Sequence, residues 1–174
     1  RVEADSLLSN PKVKGITFVG STSVGLHIHS TAAAAGKRVQ ALCEAKNHAL
    51  VMEDCVLERT VAGIINSTYG CAGQRCMALP VICVQESIAD RFVELLTQKA
   101  KALQLGAAYL PESQLGPLVS AAQKASVENW IAKGVAEGAK LILDGRNVKV
   151  PGVENGYFVG PTIFDHVKPG HSIG

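Results

Sequence analysis

The sequence predicts an α/β fold with a parallel sheet, because short apolar strand patterns alternate with longer amphipathic helix patterns. The 174 residues are 47% apolar and 18% charged, which is enough apolar surface for a compact core. The strand patterns cover Gly15–Val19, Arg38–Cys43, His48–Met52, Leu79–Gln85, Lys140–Gly145 and Pro161–Val167.

Helix patterns fill the intervals between these strands. The first helix follows a tight turn at Gly20 and ends at Gly36, while Asp54, Ser87 and Ser120 are predicted N-caps of three later helices. The predicted inward faces, from first helix to last, contain Val24, Ile28, Ala32 and Ala35; Leu57, Val61, Ile64, Ile65 and Thr68; Ile88, Phe92, Leu95, Leu96 and Leu103; Val127, Trp130, Ile131 and Val135.

Composition argues against two classes of partner. The net charge is +2 without a basic stripe, and aromatic residues make up only 5%, so nucleic acid is not the predicted partner. No apolar run reaches the roughly 18 residues of a membrane helix, and the first residues lack the order of a secretory signal. We therefore expect an intracellular protein, in the cytoplasm of a bacterium or the mitochondrial matrix of a eukaryote.

Five cysteines, an odd number, favour free thiols over a disulfide framework. Their spacing does not resemble a zinc site, and no histidine lies between residues 66 and 165, so no metal site is predicted. Three of the cysteines, Cys43, Cys55 and Cys83, lie in strand-like or boundary apolar stretches and are predicted to be buried.

The stretch YGCAGQRCMAL, residues 69–79, places Cys76 in a glycine-rich loop beside Arg75. A loop after a helix, next to a cation, is a setting that exposes a thiol and favours its thiolate. Residue type alone leaves two roles open for Cys76: it is either a nucleophile or a small buried side chain. A redox pair of Cys71 and Cys76 is a third hypothesis.

The stretch GSTSVG, Gly20–Gly25, follows a strand and opens a helix. It is not a P-loop, because Leu26 and His27 stand where that motif requires Lys and Ser or Thr. A phosphate can still bind at the free amides of such a helix, although a capped helix after a tight turn explains the same pattern.

Five stretches together carry a resemblance to a known family: FVGST (Phe18–Thr22), AKNHALVM (Ala45–Met52), GQRCMAL (Gly73–Leu79), LGPLVS (Leu115–Ser120) and GYFVGPTIF (Gly156–Phe164). Their order and spacing resemble the NAD(P)-dependent aldehyde dehydrogenase superfamily over nearly the whole chain. Within it, the chain is most similar to the methylmalonate-semialdehyde dehydrogenases, which acylate coenzyme A.

The resemblance implies a role for several positions. Cys76 matches the catalytic nucleophile of the family. Gly20 and Ser21 match the turn that faces NAD, and Cys43 lies in the segment Leu42–Glu44, whose backbone is beside the nicotinamide. The implied reaction oxidises methylmalonate or malonate semialdehyde, releases CO2, and gives propionyl-CoA or acetyl-CoA.

The chain departs from the hydrolytic members of this family. Their Glu-Leu-Gly-Gly-Lys run supplies a glutamate that activates water, but here Leu42 stands at that position. If the strand continues, Glu44 lies on the same face as residue 42 and is an alternative base. Without a base, coenzyme A is the expected acyl acceptor. Glu44 also replaces a glycine of the acylating members, which puts the local backbone geometry in question.

Arg75 has two possible roles, in binding the substrate carboxylate or in a structural ion pair. The resemblance further implies an internal piece of a longer enzyme, with residues 1–42 ending a Rossmann-like NAD-binding domain and residues 43–174 forming most of the catalytic domain. The family implies a homo-oligomer, a dimer or a tetramer. The alternative functions are an inert structural piece and a hydrolytic aldehyde dehydrogenase.

Overall fold

The computed structural model describes residues 2–174, with side chains from residue 3 onward. The chain divides into two compact units. The first ends at Ala45 and the second covers Lys46–Gly174.

The first unit is a βαβ arrangement preceded by a short helix. Its elements are α1 (Val2–Ser9), β1 (Gly15–Val19), α2 (Thr22–Ala34) and β2 (Arg38–Leu42). The two strands are parallel and paired from Gly15 opposite Arg38 to Val19 opposite Leu42. Because they are parallel, their carboxyl ends lie at one edge, next to the start of α2. The buried core of this unit consists of Leu8, Ile28 and Ala32.

The second unit contains two pairs of strands and three long helices. Its elements are β3 (His48–Val51), α3 (Leu57–Tyr69), β4 (Val81–Val84), α4 (Ala89–Lys101), α5 (Ala121–Ala136), β5 (Lys140–Leu143) and β6 (Ile163–Asp165). β3 and β4 are parallel, as predicted, but β5 and β6 are antiparallel with an irregularity between Leu141 and Leu143. The predicted α/β class is confirmed, although its strands are not all parallel.

The main core of the second unit packs α3 and α4 together. Its buried members are Val51, Val61, Ile64, Phe92, Leu96, Ala100 and Ile163. Phe92 is only 1% exposed, and burial of such a ring contributes about 2 to 3 kcal/mol. This packing fixes the end of α3, from which the Cys76 loop continues.

One of the three predicted helix caps is confirmed. The hydroxyl of Ser120 accepts the N–H of Gln123 at 3.2 Å at the start of α5. Asp54 does not cap α3, which begins at residue 57 without a side-chain cap. Ser87 does not cap α4 either, because its hydroxyl donates to Glu53 at 2.8 Å and a short 3-10 turn precedes the helix.

Several side chains predicted to be buried are exposed: Val24 on α2, Ala35 just after it, Trp130 and Val135 on α5, and the thiols of Cys43 and Cys83. The prediction for Cys83 was wrong because β4 turns only alternate residues, Ile82 and Val84, toward the core. Cys43 lies beyond the last residue of β2, at the open edge of its sheet. Cys55 is half-buried.

The longest helix in residues 2–174 is α5, with 16 residues. None of the helices described has the length and hydropathy of a membrane span.

Candidate active site

Cys76 lies at the corner of a turn that follows α3. The chain leaves the helix at Gly70 and makes a left-handed turn, in which Cys71 and Ala72 have φ angles of 52° and 53°. The N–H of Ala78 then donates to the oxygen of Arg75 at 3.1 Å, which closes a turn over Cys76 and Met77. The Cys76 thiol is exposed and accessible to a small molecule.

Asn47, just before β3, holds this turn. Its side-chain amide donates to the backbone oxygen of Cys76 at 2.8 Å and to that of Ala78 at 2.9 Å. On the other side, the hydroxyl of Thr68 donates to the oxygen of Leu79 at 2.8 Å. These contacts fix the backbone on both sides of the thiol.

Sequence reasoning gave Asn47 no role, although it lies in one of the quoted stretches. The position of Asn47 follows from the pairing of β3 with β4, which sets His48 opposite Val81 and which no local sequence pattern contains. Residues just before two paired parallel strands lie at one edge, so a polar residue at 47 reaches the loop that ends before β4.

Arg75 contacts Cys71 and Gly70 rather than an acidic residue. Its Nε donates to the Cys71 sulfur at 3.3 Å. A Cβ on Gly70 would lie 2.6 Å from its Nη1, so the guanidinium packs directly against the Gly70 backbone. In the part of the chain that the structure describes, no carboxylate forms an ion pair with Arg75, and the structural ion-pair role therefore has no partner there.

Gln74 connects the cysteine loop with the segment before α5. Its backbone N–H donates to the oxygen of Cys71 at 3.0 Å, and its side-chain amide reaches the same oxygen at 3.2 Å. Its side-chain oxygen accepts the N–H of Val119 at 3.1 Å. The loop is thus fastened at its start as well as at Cys76.

Tyr69, the last residue of α3, is held from the opposite side. Its hydroxyl donates to the oxygen of Thr162 at 3.2 Å. Burial raises the pKa of the Tyr69 phenol well above its usual range, because the charged phenolate would lose its hydration. The phenol therefore stays neutral and anchors the start of the cysteine loop.

The three predicted NAD-contacting residues lie together in the first unit. The N–H of Gly20 donates to the oxygen of Leu42 at 3.1 Å, and Ser21 directly precedes α2, where its side chain forms no cap hydrogen bond. A Cβ on Gly25 would lie 2.4 Å from the Cys43 sulfur, so the missing side chain lets Cys43 lie against α2. Gly20, Ser21 and Cys43 share the carboxyl edge of β1 and β2.

The start of α2 presents free backbone amides at this edge. The helix begins with a hydrogen bond from the Gly25 N–H to the Ser21 oxygen at 2.9 Å. The amides of residues 22–24 consequently have no acceptor inside the helix. They carry the partial positive charge of the helix dipole, so this edge offers the donors that a dinucleotide phosphate needs.

Glu44 also lies at the start of α2, where its carboxylate accepts a hydrogen bond from the Thr22 hydroxyl. Glu44 does not lie on a continued strand, as its proposed role as a base requires, because β2 already ends at Leu42. The backbone is not strained at this position: the positive φ angles among the described non-glycine residues are at Cys71, Ala72, Asn147 and His166.

Within the described residues, no group of three His, Cys, Asp or Glu side chains is arranged to hold a metal ion.

Comparison with known proteins identifies the family. The model of the aldehyde dehydrogenase family matches residues 1–174. Malonate-semialdehyde dehydrogenase 1 of Bacillus licheniformis is 47% identical over 95% of this chain and 34% of its own length. Malonate-semialdehyde dehydrogenase of Pseudomonas aeruginosa is 46% identical over 95% of this chain and 33% of its own.

Solved structures agree with this assignment. The methylmalonate-semialdehyde dehydrogenase of Oceanimonas doudoroffii has a TM-score of 0.93 and 39% identity, over 97% of this chain and 35% of its own. An aldehyde dehydrogenase of Mycobacterium tuberculosis complexed with NAD+ has a TM-score of 0.90 and 34% identity, over 97% of this chain and 35% of its own. The chain spans about a third of the length of these relatives. On both sequence and structure, it belongs to the aldehyde dehydrogenase family.

Proposed function

We propose that this chain is the thiol-bearing part of an NAD-dependent enzyme that oxidises malonate or methylmalonate semialdehyde and transfers the acyl group to coenzyme A. The observation that carries the proposal is the exposed thiol of Cys76 on a turn fixed by Asn47. Family membership and the names of the relatives support the reaction and the substrate class.

Cys76 is the nucleophile in this proposal. Its thiolate sulfur forms a bond to the aldehyde carbon, and the carbonyl oxygen takes the negative charge. Among the described residues the Cys76 N–H has no acceptor, so it is free to donate to that oxygen. The C–H bond of the former aldehyde then breaks with loss of hydride, and a thioester on Cys76 remains.

Gly20, Ser21 and Cys43 would hold NAD at the carboxyl edge of β1 and β2, with its phosphates at the amides of residues 22–24. NAD, when bound, supplies the acceptor for the hydride. In this proposal residues 1–42 end the NAD-binding domain and residues 43–174 form most of the catalytic domain. The division of the chain after Ala45 supports a boundary in this region.

Coenzyme A, rather than water, takes the acyl group. Leu42 supplies no base, and the Glu44 carboxylate is engaged by Thr22. The thiolate of coenzyme A forms a bond to the thioester carbon, and the bond to the Cys76 sulfur breaks, which restores the thiolate. The C–C bond to the substrate carboxylate breaks with release of CO2, and the carbon takes a proton from solvent, which gives acetyl-CoA or propionyl-CoA.

Arg75 would bind the carboxylate of the semialdehyde. It is exposed, adjacent in sequence to the nucleophile, and without an ion pair in the described part of the chain. A guanidinium forms two parallel hydrogen bonds to a carboxylate. We further propose a homo-oligomeric enzyme, a dimer or tetramer, in the cytoplasm of a bacterium, since the relatives above are bacterial.

The test is formation of NADH by the full-length protein from malonate semialdehyde and NAD, with and without coenzyme A. We expect turnover to require coenzyme A, and Cys76→Ser to lower kcat by at least about a thousandfold. Cys83→Ser, the same change at another exposed thiol, is the control and keeps full activity. Undiminished turnover without coenzyme A would instead indicate a hydrolytic enzyme.

A further inference from the structure

Arg75 is an exposed side chain with two specific contacts, and these contacts need an explanation. A long exposed arginine ordinarily samples many rotamers, and fixing it costs conformational entropy. Here Nε donates to the Cys71 sulfur at 3.3 Å, and the Nη atoms lie against Gly70. The guanidinium is thereby held in one orientation.

Gly70 is not required by the backbone. Its φ of −54° and ψ of 133° suit any residue. A Cβ at this position would lie 2.6 Å from Nη1, 2.8 Å from Cζ and 3.0 Å from Nη2 of Arg75. The guanidinium therefore occupies the space that a side chain at position 70 would fill.

Cys71, unlike Gly70, has a backbone conformation that favours glycine. Its φ is 52°, a conformation that a non-glycine residue adopts only at a cost. Two hydrogen bonds from Gln74 to the Cys71 oxygen hold this conformation. The sulfur is thus a fixed acceptor for Nε of Arg75.

We propose that Gly70 and Cys71 are positioning residues that orient the Arg75 guanidinium toward the carboxylate of the aldehyde substrate. This inference rests on the proposed function, in which Arg75 binds that carboxylate. Because the sulfur takes only the Nε donor, the Nη donors stay available for a bidentate pair. An uncharged aldehyde does not use this pair, so the two residues determine preference for a carboxylated substrate.

The test compares malonate semialdehyde with propanal, using the full-length protein. Gly70→Ala and Cys71→Ala are each expected to raise KM for malonate semialdehyde by about three- to tenfold, the size of effect expected when one ordinary hydrogen bond is lost. The KM for propanal and both kcat values stay unchanged. The KM of Cys71→Ser for malonate semialdehyde should lie closer to the wild-type value than that of Cys71→Ala, because a hydroxyl oxygen also accepts an N–H. Cys83→Ala, the matched control, changes neither KM.

Both test variants are expected to fold. The Cβ in Gly70→Ala meets only the far end of a flexible side chain, and Ala72 already holds a φ of 53°, as Cys71→Ala would require. Melting temperatures close to that of the wild type check this expectation. An equal rise of KM for both aldehydes would indicate general distortion of the loop and overturn the inference.

Arg75→Gln separates this inference from the proposed function. If Arg75→Gln loses the preference for malonate semialdehyde but Gly70→Ala and Cys71→Ala keep it, the positioning role is wrong and the proposed function stands. If Arg75→Gln also keeps the preference, Arg75 does not bind the carboxylate, and the inference is overturned. The proposed function is tested independently of Arg75, by the requirement of wild-type turnover for coenzyme A and by the activity of Cys76→Ser.

Discussion

The side-chain amide of Asn47 donates to the backbone oxygen of Cys76 at 2.8 Å. Asn47 directly precedes β3, which pairs with β4 after the cysteine loop. The proposed nucleophile is thus tied to a strand pair that packs on the main core. A reactive group needs such support, because small displacements from the productive geometry lower the rate.

Replacement of Asn47 by Asp should impair the reaction. A carboxylate cannot donate to the oxygens of Cys76 and Ala78 and repels both. We expect kcat to fall by about tenfold or more while the protein stays folded. Asn129→Asp, at an exposed position on α5, is the matched control. Equal activity of the two variants would show that the turn does not depend on Asn47.

Two glycine-to-alanine changes should have opposite effects on stability. Gly73 has a φ of 71°, so Gly73→Ala should lower the free energy of unfolding by about 1 to 2 kcal/mol. Gly63 lies inside α3 with open space where a Cβ would be, so Gly63→Ala should raise it by about 1 kcal/mol. Urea unfolding followed by circular dichroism measures both. The same sign for both changes would contradict the backbone assigned to the loop.

Tyr69 should make stability depend on alkaline pH. Its pKa is raised by burial, so its contribution is complete below the unfolded value of about 10 and is lost as pH rises above it. Loss of the hydrogen bond to Thr162 in Tyr69→Phe should cost about 1 kcal/mol at neutral pH. Urea unfolding at several pH values should show a shallower alkaline decline for this variant than for the wild type.

Tyr109→Phe is the control for this comparison, because the Tyr109 side chain is 83% exposed. It should follow the wild-type pH dependence. Parallel curves for wild type and Tyr69→Phe would mean that the Tyr69 phenol is not buried in solution.

Glu44 should weaken the binding of NAD. Its carboxylate lies at the start of α2, where we propose that the phosphates bind. Glu44→Gln removes the charge and keeps an acceptor for Thr22, so the affinity for NADH should rise by about fivefold. The gain should shrink as salt screens the charge. Fluorescence titration of NADH with the full-length protein measures this effect.

Glu58→Gln is the matched control, since Glu58 lies in the first turn of α3. It should leave NADH affinity unchanged. Equal affinities of the wild type and Glu44→Gln at low salt would place the phosphates elsewhere.

Sequence patterns predicted those elements of the fold that depend on interactions between residues close in sequence. The strand at Gly15–Val19 and the cap at Ser120 involve neighbouring residues, and both were predicted correctly. The caps at Asp54 and Ser87 were wrong, because Glu53, distant in sequence, binds the Ser87 hydroxyl and α3 starts later than Asp54 would allow. The direction of β5 and β6 also depends on distant pairing, which no local pattern contains.

The candidate site divides in the same way. Residue type and family resemblance indicated Cys76 and Arg75 as candidates, because their chemistry is visible in the sequence, and their roles stay predictions. The contacts of Asn47 with Cys76, and of Cys71 with Arg75, depend on the path of the backbone in three dimensions. Positive φ angles at Cys71 and Ala72 are likewise hidden, since neither residue type favours them.

The most direct test of the account is mass spectrometry of the full-length protein after limiting malonate semialdehyde and NAD, without coenzyme A. We predict an acyl adduct on Cys76 that disappears when coenzyme A is added, with Cys71 and Cys83 unmodified. An unmodified Cys76, or an adduct on another cysteine, in a sample that has formed NADH would contradict the central claim.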